Sequence, residues 1–111
     1  MAATAGQEIV DRRDKEVKAE NASLGVVLDA VASEAADSGL DWIQEYLNTS
    51  LRRENEVLTK RYSPGYGDLE LSAQKTVFDA LELDKIGLVI TNNFILVPEK
   101  SVIGIAGVVD G

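Results

Sequence analysis

The sequence contains no cysteine and no histidine, and it has only one tryptophan and two prolines. The missing cysteine excludes disulfides, thiolate metal sites, iron–sulfur clusters and cysteine nucleophiles within this chain. The missing histidine excludes the commonest metal ligand, the serine–histidine triad and the usual general base near neutral pH. Any function of the chain must therefore use other side chains, or a group that a partner carries.

Basic residues are also scarce, with 11 Lys and Arg against 19 Asp and Glu, which gives a net charge of −8. This balance argues against binding of nucleic acid, because phosphate recognition needs clustered Lys and Arg. No apolar run approaches the roughly 20 residues of a membrane span, and residues 1–6 lack the basic-then-apolar pattern of a secretory signal. We therefore expect a cytoplasmic protein without nucleic-acid or membrane partners, whose 111 residues form a single domain, 1–111.

The spacing of apolar residues predicts two main helices. Residues 1–22 are dense in charge and predict an exposed N-terminal helix or tail. Apolar residues at gaps of three and four predict one long amphipathic helix over 23–54, although the Ser-Gly pair at 38–39 can bend or interrupt it. A shorter helix is predicted over 72–83, with Ser72 as its N-cap.

The second half of the chain predicts strands. β-Branched residues dominate 88–91, 94–97 and 102–109, and residues 57–62 form a further extended segment. Helices followed by strands favour an α+β fold, with the long amphipathic helix and the shorter helix packed on a small, mainly antiparallel sheet. Such a sheet is small for so long a helix. Either it is completed elsewhere, or the chain forms a homodimer that completes it.

The segment 61–68, with the sequence RYSPGYGD, concentrates residues that suit a ligand. Arg61 offers a planar fork of donors for a carboxylate or phosphate, and the two tyrosines offer flat faces for stacking. The two glycines allow the backbone to approach a ligand closely. As a bare pattern, however, a Pro-Gly turn between tyrosines is more often structural, and the glycine spacing and lysine of nucleotide-binding fingerprints are missing.

Together with spaced motifs around it, this segment resembles the activation domain of cobalamin (vitamin B12)-dependent methionine synthase, especially its small stand-alone forms. The matching motifs are Arg61-x-x-x-Gly65-Tyr66-Gly67-Asp68, Gln74, Lys85-Ile86-Gly87-Leu88-x-x-Thr91 and Val97-Pro98-x-Lys100-Ser101-Val102-x-Gly104. Upstream, Leu28-Asp29-Ala30-Val31 and Glu34-Ala35-Ala36-Asp37 match as well. The resemblance covers roughly residues 28–108, with the motifs in the order that the family has.

The resemblance implies a module that binds S-adenosylmethionine and presents its methyl group to cobalamin carried by a corrinoid partner protein or domain. It implies S-adenosylmethionine-binding roles for Arg61, Ser63, Gly65 and Tyr66, and for Asp41 in place of a longer family glutamate. Because the sulfonium is the methyl donor and the cobalt is the nucleophile, the chain needs no catalytic residue and no metal ligand of its own. It would then be part of a methyltransferase system in methionine biosynthesis rather than a complete enzyme, with a flavodoxin- or ferredoxin-type electron donor.

One departure from the family concerns length. The chain matches the C-terminal part of the family domain, so the resemblance implies a short form or a fragment that lacks the N-terminal part. The alternative is a non-catalytic binding or assembly module of the same fold that has lost the ligand site. Trp42, on the long helix, is expected in the core or at an interface rather than stacked on a ligand.

Overall fold

A computed structural model describes all residues from Met1 to Gly111. The helices are α1 (Gln7–Lys18), α2 (Ala22–Leu51) and α3 (Ala73–Ala80), and 3₁₀ turns occupy Arg52–Glu54 and Leu83–Ile86. The strands are β1 (Ala2–Thr4), β2 (Glu56–Leu58), β3 (Val89–Ile90), β4 (Leu96–Val97), β5 (Ser101–Ile103) and β6 (Val108–Asp110). The predicted α+β class, with a long helix and antiparallel strands, is confirmed. None of the helices combines the length and apolar character that spanning a bilayer would require.

The strands form three separate antiparallel pairs: β1 with β5, β2 with β6, and β3 with β4. The predicted strand over 102–109 is divided between β5 and β6, because the backbone changes partners between them. The Gly104 N–H donates to the Met1 carbonyl and the Ile105 N–H to the Tyr62 carbonyl, both at 2.8 Å. The small antiparallel sheet of the prediction is therefore a set of two-stranded ladders.

Helix α2 runs for 30 residues and passes through Ser38 and Gly39 without interruption. A Cβ atom built on Gly39 would lie 2.8 Å from the Cβ atom of Ala3. The glycine therefore allows β1 to pack directly on the helix. Its role is a close approach between two elements, rather than the bend that its low helix propensity predicts.

Helix α3 begins directly after Ser72, as predicted, but the serine side chain does not cap it. Ser72 already has helical dihedral angles, φ −59° and ψ −22°, and its side chain makes no capping hydrogen bond. Its hydroxyl donates instead to the Glu70 carboxylate at 3.3 Å. Ser72 therefore occupies the predicted N-cap position, but its side chain does not cap the helix, because a capping side chain needs a non-helical backbone to reach the first free N–H groups.

The core lies between α3, the second 3₁₀ turn and the strands after it. Its members are all buried aliphatic or aromatic side chains: Phe78, Leu83, Leu88, Leu96 and Ile103. β5 supplies Ile103 to this cluster, and all three residues of β5 also line the cleft described below. The packing of the core therefore fixes one wall of that cleft.

A charged cluster, formed by Arg13, Asp29, Glu99 and Lys100, joins α1 to α2 and to the β4–β5 turn. Arg13 Nη1 lies 2.7 Å from Asp29 Oδ1, and Arg13 Nη2 donates to Glu99 Oε1 at 2.8 Å. Lys100 Nζ lies 3.2 Å from Asp29 Oδ1 and donates to Ser33 Oγ at 2.9 Å. Hydrogen bonds from Arg13 are the main reason that the pKa values of Asp29 and Glu99 lie below their ordinary values.

We expect this charged cluster to make stability depend on acid. The pKa values of Asp29 and Glu99 are lowered from 3.8 and 4.5, so their stabilising effect is complete above about pH 5. It is lost as the pH falls through the lowered values, because the protonated carboxyls no longer attract Arg13. Urea unfolding at pH 7 and pH 3 should show a smaller acid-dependent loss in Arg13→Ala than in the parent chain. Arg12→Ala, which removes only an exposed pair with Glu16, is the control, and equal losses in parent and Arg13→Ala would contradict the prediction.

Candidate functional site

Arg61 is held against α2 by two side chains of that helix. Its Nη2 atom lies 2.7 Å from Asp41 Oδ1, and its Nη1 atom donates to Gln44 Oε1 at 3.0 Å. Gln44 in turn donates through Nε2 to the Thr59 carbonyl at 3.3 Å. Asp41 and Gln44 are three residues apart, so both side chains project from the same face of α2.

Gly104, which follows β5, leaves room for the side-chain stem of Arg61. A Cβ atom at position 104 would be 3.3 Å from Arg61 Cδ and 3.4 Å from Leu40 Cδ1. Gly104 itself is buried between these side chains. The aliphatic stem of Arg61 is therefore packed, while its guanidinium group reaches the surface with 23% of the side chain exposed.

The segment after Arg61 forms a compact loop. The Gly65 N–H donates to the Leu69 carbonyl at 2.9 Å, and the Tyr66 N–H donates to the Ser63 carbonyl at 3.2 Å. Gly65 has φ of 90°, in the left-handed region that a side chain would strain, and Pro64 is buried beneath the loop. The loop leaves Tyr66 76% exposed. The predicted Pro-Gly turn is present, and it displays the tyrosine instead of burying it.

An open cleft of about 620 Å³ lies beside this loop. Arg61, Ser63 and Tyr66 line it, opposite the strand β5. A smaller polar depression of about 400 Å³ adjoins the cleft and shares Lys60, Arg61 and Ser63 with it, and Asp41 lines this depression. Four of the five residues that the resemblance implies therefore lie along one continuous concave surface. The fifth, Gly65, shapes the loop without lining either space.

Sequence reasoning assigns no binding role to several polar residues of this surface, although Asp37 and Gln74 are among the motif residues of the resemblance. Asp37 and Lys60 line the cleft, Gln44 lines the depression, and Gln74 lines the cleft while donating to the Phe94 carbonyl at 2.7 Å. A signal for Gln44 exists in the sequence, because it lies one helical turn from Asp41. Lys60 precedes Arg61, but nothing in the sequence shows that both adjoining residues border the same surface.

The surface combines charges of both signs. Arg61 and Lys60 are cationic, while Asp37 and Asp41 are anionic, and tyrosine faces lie close by. A guanidinium group has five N–H donors, and Arg61 directs only two N atoms at Asp41 and Gln44. Donors therefore remain for a ligand carboxylate. The arrangement suits a ligand that carries a carboxylate, a cationic group and a flat ring.

No known protein-family model matches the chain. No curated protein sequence matches it either.

Proposed function

We propose that this chain is an S-adenosylmethionine-binding activation module, of the type found in cobalamin-dependent methionine synthase. The proposal rests on one observation: a single concave surface is lined by Arg61, Asp41, Ser63 and Tyr66. These residues come from the motif and the helix that the sequence resemblance singled out. Their charges and ring also suit the groups of the proposed ligand.

Each residue has a distinct proposed role. Arg61 binds the ligand carboxylate through its free donors, and Asp41 attracts the ligand ammonium while it orients Arg61. Tyr66 presents its ring to the adenine or to the sulfonium. Gly65 keeps the loop backbone in the left-handed conformation that brings Ser63 and Tyr66 together.

The module would act by positioning reactants. The sulfonium of S-adenosylmethionine supplies an activated methyl group, and the corrinoid partner supplies a reduced cobalt that accepts it. The chain would hold the ligand so that its methyl faces the partner, in a cytoplasmic system with a flavodoxin- or ferredoxin-type electron donor.

Titration calorimetry with S-adenosylmethionine tests the proposal. We expect the parent chain to bind and Arg61→Ala to bind about 10- to 100-fold more weakly, because a hydrogen bond to a charged group contributes about 1.5–3 kcal/mol. Arg61→Lys should restore part of the affinity, since it keeps the charge and loses the fork.

Arg53→Ala is the matched control, because it removes the same side chain from an exposed position outside the site. Its affinity should equal that of the parent chain. Equal affinities for parent and Arg61→Ala would contradict the arginine role. A parent chain that shows no binding heat at millimolar ligand would overturn the proposed function.

A second candidate is a non-catalytic binding or assembly module of the same fold. A specific observation favours it: a groove of about 600 Å³, lined by ten apolar residues out of twelve, lies open between α2, α3 and the last strands. The three residues of β6 are also exposed. A second copy could pair along this strand, and in the resulting dimer each chain would complete the sheet of the other. Under this alternative, S-adenosylmethionine does not bind.

A further inference from the structure

One face of α2, away from β1 and α1, carries a stripe of uncharged residues that nothing in the chain covers. Val27 and Val31 lie near its beginning, and each is more than half exposed. Trp42 and Tyr46 lie near its end, with 68% and 63% of their surfaces exposed. Their rings are stacked on each other, with centroids 5.6 Å apart and planes 11° apart. Tryptophan and tyrosine are enriched among the residues that dominate protein contact surfaces, so a stacked, exposed pair of them suggests such a surface.

The spacing within this stripe is symmetric. Val27, Val31, Ala35, Ser38, Trp42 and Tyr46 follow one another at gaps of four, four, three, four and four residues, which read the same in both directions. The midpoint lies between residues 36 and 37, where the small members of the stripe are found. A helix laid antiparallel on an identical helix about that midpoint would meet its own pattern.

We infer that two copies of this chain associate through an antiparallel contact between their α2 helices. In this contact the facing pairs are Val27 with Tyr46, Val31 with Trp42, and Ala35 with Ser38. Each aromatic ring meets a valine, and the small residues meet at the twofold axis, where they allow the helices to approach closely. A twofold contact requires such self-complementarity, because the same patch must serve both chains. The inference does not depend on the proposed ligand.

The area of the stripe supports a second copy as the occupant. The exposed parts of the two rings and two valines correspond to about 400 Å² of apolar surface in each chain. With the neighbouring helix surface, the two copies together would bury about 1,000 Å², the lower limit of specific interfaces. The contact would therefore be weak to moderate in strength and would depend strongly on its aromatic residues.

The flank of the stripe is acidic, and this feature gives the contact a distinctive salt dependence. Glu34, Asp41 and Glu45 lie on the same side of the stripe and are exposed. Asp41 is paired with Arg61, so the unbalanced negative charge of this flank comes from Glu34 and Glu45. An antiparallel twofold axis brings this flank close to the same flank of the second copy, so like charges face each other. Salt should therefore strengthen the dimer, since screening reduces that repulsion.

Sedimentation equilibrium of the full chain tests the inference. The parent chain should form a dimer that tightens as NaCl is raised from 50 to 500 mM. Trp42→Ala should raise the dimer dissociation constant at least about 30-fold, because buried aromatic anchors carry most of the energy of an interface. Val26→Ala is the matched control, since Val26 lies on the same helix with 69% exposure but outside the stripe. It should leave the dissociation constant unchanged.

The antiparallel register has its own test. Val31→Glu and Trp42→Lys should each be monomeric when alone, because each puts one charge opposite an apolar side chain. An equal mixture of the two variants should form a heterodimer, in which the introduced charges of opposite sign face each other across the interface. A mixture that stays monomeric, although both variants keep the parent circular dichroism spectrum, would overturn the register. A monomeric parent at 200 μM, or a dimer that Trp42→Ala leaves intact, would overturn the contact itself.

Discussion

Ile103→Ala is expected to destabilise the protein by about 2–5 kcal/mol, the usual range for removing a buried aliphatic side chain. Ile103 is 1% exposed, and it packs in the core with Phe78, Leu83, Leu88 and Leu96. Domains of this kind are stable by only about 5–15 kcal/mol, so the loss would be a large share of the total. Urea unfolding followed by circular dichroism gives the free energy of unfolding directly.

Two matched variants test whether the loss of stability comes from the core position of Ile103 or from truncating any isoleucine. Ile103→Val removes a single methylene and should cost about 0.5–1.5 kcal/mol. Ile86→Ala makes the same truncation at a side chain that is 58% exposed, and it should cost well under half as much as Ile103→Ala. If Ile86→Ala and Ile103→Ala lose similar free energies of unfolding, burial of Ile103 in the core is not what stabilises β5.

The Ile103→Ala variant also links the core to the candidate site. Because β5 lines the cleft opposite Arg61 and Tyr66, a loosened β5 should weaken a cleft ligand without any change in the residues that touch it. Arg61→Ala, by contrast, should weaken binding while the buried cluster around Ile103 keeps its packing, because Arg61 is not a member of that cluster. The comparison therefore distinguishes a residue that shapes the wall from one that contacts the ligand.

The elements that the sequence predicts well are those that local patterns determine. Helix α2 follows from its apolar spacing, and the loop over 63–67 follows from a proline and two glycines in five residues. Strand β1 is the opposite case, because Ala2–Thr4 has little strand preference of its own. It is extended because it pairs with β5, almost one hundred residues later, and no local pattern reports such a partner.

In the candidate site, too, some features can be predicted from the sequence and others depend on the tertiary fold. The resemblance singles out Arg61 through its motif and Asp41 as the counterpart of a family glutamate, but their 2.7 Å ion pair depends on how α2 packs against the strands. Lys60 and Gln44 belong to the same surface and carry no motif. Trp42 was expected in the core or at an interface, and its exposure removes the first of these two interpretations for the single chain.

Gly39→Leu should be the other strongly destabilising change, with an expected loss of about 2 kcal/mol or more. A Cβ atom at position 39 would lie 2.8 Å from Ala3 Cβ, a distance that carbon atoms do not tolerate. The side chain of Ala3 is a single methyl group, which cannot rotate away from the clash, so β1 itself must move. The gain in helix propensity on replacing glycine, about 1 kcal/mol, only partly offsets this cost.

Ala30→Leu is the control for Gly39→Leu, because it adds a leucine to the same helix at an exposed position and should change stability by less than about 0.5 kcal/mol. Amide hydrogen exchange then shows which part of the fold has moved. The Gly104 and Ala5 amides, which donate to the Met1 and Lys100 carbonyls, should lose protection in Gly39→Leu. The Thr91 amide, which donates to the Ile95 carbonyl in the separate β3–β4 hairpin, should keep its protection. The prediction is contradicted if Gly39→Leu is as stable as the parent chain and all three amides stay protected. In that case β1 does not need a glycine at position 39 in order to pack on α2.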